Sequence, residues 1–195
     1  MITIIALGNP GEKYAATRHN VGWRAVDLCL QAWNFPSLVS ERSLSGRVTE
    51  GSVGAQYLKV LYPDTYMNNS GSAVMKFVPP NEVQQLIVVH DDIDLPLGEI
   101  KVGKGRGAGG NNGVGSIITK FGTKDFIRVR IGIAPKSFWT GKTKRPRGGG
   151  PLEQFVLKPF TKGEQQQLPE MFAKVRTAIE LILGEGVEKA MNQCN

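Results

Sequence analysis

Leu86-Ile87-Val88-Val89-His90-Asp91-Asp92-Ile93-Asp94 is an unbroken apolar run, then a histidine, then three acids within four positions. A short continuous apolar run predicts a strand buried on both faces, as in the centre of a helix-covered sheet. The abrupt change at His90 places a polar cluster at the strand's carboxyl end, where ligands bind in α/β sheets.

Residues 2–7 read as a second buried strand, and Gly8-Asn9-Pro10-Gly11 as a tight turn in which Pro10 fixes one backbone angle. Over residues 20–33, Val21, Ala25, Leu28 and Ala32 recur at helical spacing. Val48 and residues 56–61 read as strands, and residues 70–77 as a short helix. Ile100 and Val102 alternate with Glu99 and Lys101, which predicts a strand with one wet face. A glycine-rich loop (103–113), a helix (114–121) and a strand (126–133) follow. Thr161-x-x-Glu164 matches a capping box, and Leu168, Phe172, Val175, Ile179 and Ile182 form a helical stripe that should stop at Gly184. Pro169 should kink or restart that helix. Strands interleaved with helices, in 195 residues of 41% apolar content, predict one α/β domain over residues 1–195. Its architecture should be a twisted mixed β-sheet surrounded by α-helices.

The formal charge is +7, and Lys136, Lys142, Lys144, Arg145 and Arg147 supply +5 of it with no intervening acid. Such a basic stretch, at about 135–150, attracts phosphate polymers or is a solvated loop. Cys29 and Cys194 form no close-spaced ligand pattern, and the apolar start at residues 2–7 is too short for a signal peptide or a span. A cytoplasmic protein without a membrane partner is expected.

His19 and His90 are the only histidines. His19 sits in polar Thr17-Arg18-His19-Asn20 at a helix start, placed either to act as a general base or to cap the helix. A carboxylate at another strand end, with Asp91 nearest, would fix its tautomer and leave the second nitrogen to deprotonate water. His90 should point to the opposite side and be structural. A metal site built from His90 and the acids is the alternative, but the ligands are too crowded for a common spacing. Asn68 can hold a peptide-like group or an oxyanion, or cap the helix that follows. Gly105-x-Gly107-x-x-Gly110 matches a dinucleotide pattern, but its strand alternates charged and apolar residues; a mobile loop around Asn112 fits better.

Together these segments resemble the bacterial peptidyl-tRNA hydrolase family. The matching pieces are Gly8-Asn9-Pro10-Gly11 with Tyr14, Thr17-Arg18-His19-Asn20-Val21-Gly22, Tyr66-Met67-Asn68-x-Ser70-Gly71, His90-Asp91-Asp92-x-Asp94-Leu95-Pro96-x-Gly98, Gly109-Gly110-x-Asn112-Gly113 and Arg128-x-Arg130-Ile131-Gly132-Ile133. The resemblance implies hydrolysis of the ester of N-acyl-aminoacyl-tRNA, releasing tRNA and peptide, in translation and ribosome rescue, by a monomer without metal or organic cofactor. It implies His19 as base, Asp91 as its orienting partner, and Asn9 as the residue distinguishing N-blocked ends. It also implies that Tyr14, Tyr66, Met67, Asn68 and Asn112 contact the substrate and that Arg130 and Lys101 meet tRNA phosphate. Three departures stand out, the most conspicuous being a basic loop insertion at about 135–150, longer and more basic than the family's usual connection. Asn111 lies where many members have histidine, and Gly103 lies where a second basic residue is expected, with Lys104 adjacent. A homologue that only binds RNA is the competing reading; it would keep the basic residues and lose the base.

Overall fold

The computed structural model describes residues 1–135 and 149–195. Residues 136–148, the body of the basic stretch, lie outside them. The strands are β1 (Ile2–Ala6), β2 (Val39–Glu41), β3 (Gly46–Val53), β4 (Gln56–Pro63), β5 (Leu86–Pro96), β6 (Ile100–Lys104) and β7 (Ile127–Ala134), joined in one sheet of order β2-β3-β4-β1-β5-β7-β6. The central four, β4-β1-β5-β7, run parallel, while β2, β3 and β6 join antiparallel at the edges. The sheet is therefore mixed.

Helices α1 (Val21–Ala32), α6 (Leu168–Glu185) and α7 (Val187–Cys194) cover one face; α2 (Ser70–Phe77) and α3 (Asn112–Phe121) cover the other. Strand alternation separates the two cores: Ile4, Ile87, Val89 and Val129 face α1 and α6, whereas Ile5, Val88 and Phe126 face α2 and α3. The chain leaves β1 through α1 toward β4, then crosses back through α2 to β5 on β1's other side. The carboxyl ends of β1 and β5 are thus the point where the winding reverses, and a crevice opens there. Among the described residues no helix is long and apolar enough to cross a membrane.

Several boundaries differ from expectation. Strand β5 does not stop before the acids but runs through them to Pro96, because pairing with β7 continues from Ile87–Ile127 to Asp92–Gly132. The acids tolerate this position because His19 and Asn111 meet Asp91, Arg130 meets Asp92, and Asp94 is exposed. Helix α3 starts at Asn112, two residues early, since Asn111 caps it by accepting a hydrogen bond from Val114 N–H at 3.0 Å. Pro169 falls in the first turn of α6, where its missing N–H costs nothing, so it starts the helix and does not kink it. Gly184 lies inside that helix, which ends at Gly186 (φ 89°). The capping box at Thr161 and Glu164 is present at the start of the short helix α5 (Lys162–Gln165). Strand β2 and helix α7 lack a sequence signal long enough to read, as does α4 (Gly149–Val156).

Candidate active site

Pairing of β1 with β5 ends at Ala6–Val89, with one further bond from Leu7 N–H to Val89 O at 3.0 Å. Beyond that point the Asp91 side chain is met by the turn preceding α1. That turn, Arg18–Asn20, is 3-10 helical and buried. His19 does not cap α1; its Nδ1 lies 2.9 Å from Asp91 Oδ2, and the two residues are 7% and 4% exposed. A carboxylate only accepts, so the proton sits on Nδ1 and the lone pair on Nε2. Burial disfavours the imidazolium, but the charge and hydrogen bond of Asp91 outweigh it, and the His19 pKa is raised above its ordinary 6.5.

The turn is held from three sides. Asn20 Oδ1 accepts from Asn9 N–H and Asn20 Nδ2 donates to Asn9 O, both at 2.9 Å, which locks it to the loop after β1. Gly22 packs against the strand ends so closely that a Cβ there would lie 2.7 Å from the Leu7 and Val89 carbonyl oxygens. Arg18 donates to Lys158 O, Pro159 O and Glu164 Oε2 and lies over the Phe155 ring, fastening the segment around α4 to the same turn.

A cleft of about 570 Å³ opens beside the pair, lined by Asn9, Tyr14, His19, Tyr66, Met67, Asn68, Asp91 and Asn112. All eight residues expected to catalyse or to contact the substrate are therefore gathered in one place. Asn9 Oδ1 accepts from Met67 N–H at 2.9 Å, which fixes the amide plane and leaves Nδ2 as its donor end. Met67 is buried in the wall, while Tyr66 is 57% exposed at the rim, edge-to-face with Tyr14 at 6.3 Å. Asn68 does not cap α2 through its side chain; Asn69 is the residue before that helix. Leu152, Glu153, Val156 and Leu157 close the far side, a contribution that sequence reasoning missed.

Asn111 was also missed as a site residue. It is 8% exposed, and its Nδ2 donates to Asp91 Oδ1 at 2.7 Å. His90 is buried with Nδ1 donating to Asp91 O, and burial holds its pKa below the ordinary value, which fits a structural neutral imidazole.

Lys101 on the edge strand β6 pairs in register with Arg130 on β7, and Arg130 Nε donates to Asp92 Oδ2 at 2.7 Å. By strand alternation Lys104 faces the other side from Lys101; its Nζ is 3.4 Å from Asp125. A Cβ on Gly103 would lie 3.9 Å from Arg106 Cδ and Nε, so the Arg106 side chain lies over the position where a basic side chain was expected. Arg128, opposite Gly103, is 2% exposed and donates to Gly107 O at 2.6 Å, pinning the glycine-rich loop to the sheet. Burial and the nearby charges of Arg130 and Arg106 lower its pKa.

A family model described as Peptidyl-tRNA hydrolase matches residues 3–195. The chain belongs to the peptidyl-tRNA hydrolase family. Peptidyl-tRNA hydrolase of Thermodesulfovibrio yellowstonii is 41% identical over 199 residues, spanning 100% of this chain and 99% of that protein. Peptidyl-tRNA hydrolase of a Nostoc species is 40% identical over 197 residues, spanning 98% of this chain and 93% of its own. The crystal structure of peptidyl-tRNA hydrolase from Acinetobacter baumannii matches with a TM-score of 0.88 at 29% identity, covering 100% of this chain and 94% of that one. The peptidyl-tRNA hydrolase likeness thus extends from the sequence motifs to the whole fold.

Proposed function

We propose that this chain is a cytoplasmic, monomeric hydrolase that cleaves the ester joining a peptide's carboxyl carbon to the terminal ribose of tRNA. The observation that carries the reading is the buried His19–Asp91 pair at the wall of the cleft. His19 Nε2 takes a proton from water as the water oxygen adds to the ester carbonyl carbon. Amide donors at the cleft, the side chains of Asn68 and Asn112, receive the negative charge that develops on the carbonyl oxygen. Collapse breaks the bond to the ribose oxygen, which recovers the proton from His19. The products are a peptide acid and tRNA with a free hydroxyl.

A ribose alkoxide leaves more readily than an amide nitrogen, so activated water suffices and no covalent nucleophile is required. The buried thiol of Cys29 is no candidate, because desolvation pushes its pKa up to about 12. The Tyr14 and Tyr66 rings and the Met67 wall present surface to the acyl-adenosine end, with Asn9 meeting the blocked amino group. Lys101 and Arg130 serve the tRNA phosphates, with Arg106 standing in for the cation that Gly103 lacks, whereas Lys104, on the other face beside Asp125, stands apart from this set.

A module that only bound RNA would leave the cost of burying a paired imidazole and carboxylate without a purpose. Offering N-acetyl-aminoacyl-tRNA and free aminoacyl-tRNA side by side tests the reading. Preferential cleavage of the acetylated substrate is expected. Binding of tRNA with cleavage of neither would overturn it in favour of the RNA-binding homologue.

A further inference from the structure

Asp91 offers two carboxylate oxygens, and only one is used by His19. The other, Oδ1, accepts from Asn111 Nδ2 at 2.7 Å, and the same nitrogen lies 3.2 Å from Asp91 O. The far end of the Asn111 amide is held as well, since its Oδ1 accepts from Val114 N–H in the first turn of α3. Packing leaves that side little room: a Cβ on Gly113 would lie 3.3 Å from Asn111 Oδ1 and 2.9 Å from Met67 Sδ. A continuous buried series therefore runs from the N-terminus of α3 through Asn111 and Asp91 to His19.

We infer that Asn111 is a positioning residue that fixes the rotation of the Asp91 carboxylate and, through it, the direction of His19 Nε2. The inference rests on the reading of His19 as base. An amide suits the task for a specific reason. Its donor end cannot ionise, so the second bond to Asp91 persists while His19 titrates, whereas an imidazole at this position would change charge in the same pH range. The same hydrogen bond draws charge from Asp91 and moderates its pull on the imidazolium. Asn111 also precedes Asn112, so one capped helix start sets both the dyad and a substrate contact.

Replacing Asn111 by serine separates this role from helix capping, because serine caps equally well but is too short to reach Asp91. For Asn111→Ser, kcat on N-acetyl-aminoacyl-tRNA should fall about tenfold with KM little changed, as for a modest misplacement of a catalytic group. The acid limb of its pH profile should move upward, since Asp91 then acts on His19 with undiminished charge. Asn111→His, which restores a donor, should recover most of kcat at about pH 8, where imidazole is neutral. Unchanged kcat and an unchanged acid limb in Asn111→Ser, beside an inactive His19→Ala, would overturn the inference. Full activity of His19→Ala would instead remove the base assignment on which it stands.

Discussion

Arg18 and Glu164 are 146 positions apart in sequence and meet at 2.6 Å between Nη2 and Oε2, one residue away from the base. The contact ties the chain segment that closes the cleft to the turn that carries His19. Glu164 also accepts from Thr161 N–H, so one carboxylate serves both a capping box and a long-range ion pair. Glu164→Ala should lower stability by about 1–3 kcal/mol, as for loss of charge-assisted hydrogen bonds. It should raise KM more than it lowers kcat. Burial works against the charged form, but the bonds from Arg18 and Thr161 prevail and hold the Glu164 pKa below its ordinary 4.5. Its stabilising contribution is therefore present above that ordinary value and lost as pH falls through the lowered one. Thermal melts of the two proteins should converge on acidification across that window.

The His19–Asp91 pair sets the pH dependence of turnover. The base must be neutral to accept a proton, and the pKa of His19 is raised, so kcat/KM should climb with an acid-limb midpoint above 6.5. In Asp91→Asn the charge is gone and burial acts alone. The midpoint should then drop below 6.5 and the rate fall by about 10²-fold or more. The stability linkage has the opposite sign: the pair's contribution is complete below the unfolded imidazole pKa and is lost as pH rises through the folded one.

Tight backbone approach gives a steric prediction. Alanine at Gly22 would bring its Cβ 2.7 Å from two strand-end carbonyls, and backbone there has little freedom to yield. Gly22→Ala should cost about 1–3 kcal/mol in chemical denaturation. It should also reduce kcat, because α1 can retreat only by moving the adjoining His19 turn.

The cationic edge predicts a salt effect. Lys101→Ala or Arg106→Ala should each reduce the dependence of log Kd for tRNA on log salt by about one unit or less, leaving kcat at saturation near wild type. Deleting residues 142–147, which carry four cations, should flatten the slope further. An unchanged slope in the deletion would exclude that stretch from tRNA contact.

The α/β class, the central strand and the approximate bounds of α1, α2 and α6 were legible because each depends on local periodicity. The same holds for Asp91 as partner of His19, since both follow apolar strands whose ends must lie together in a wound sheet. What was not legible depends on contacts between distant residues. Asn111 stood out in the sequence only as a departure from the family's histidine, and nothing local shows that its amide nitrogen reaches Asp91, 20 positions earlier. Arg106 covers Gly103 only because the glycine-rich loop folds back over β6. Strand β5 continues through its acids because Arg130, His19 and Asn111 arrive from other elements to meet them.

Single-turnover hydrolysis of N-acetyl-aminoacyl-tRNA by His19→Ala, with tRNA affinity measured on the same protein, probes the base most directly. The rate should fall by about 10²–10⁴-fold while affinity stays within about twofold, because His19 acts on water and not on the tRNA body. Hydrolysis at the wild-type rate by correctly folded His19→Ala would contradict the assignment.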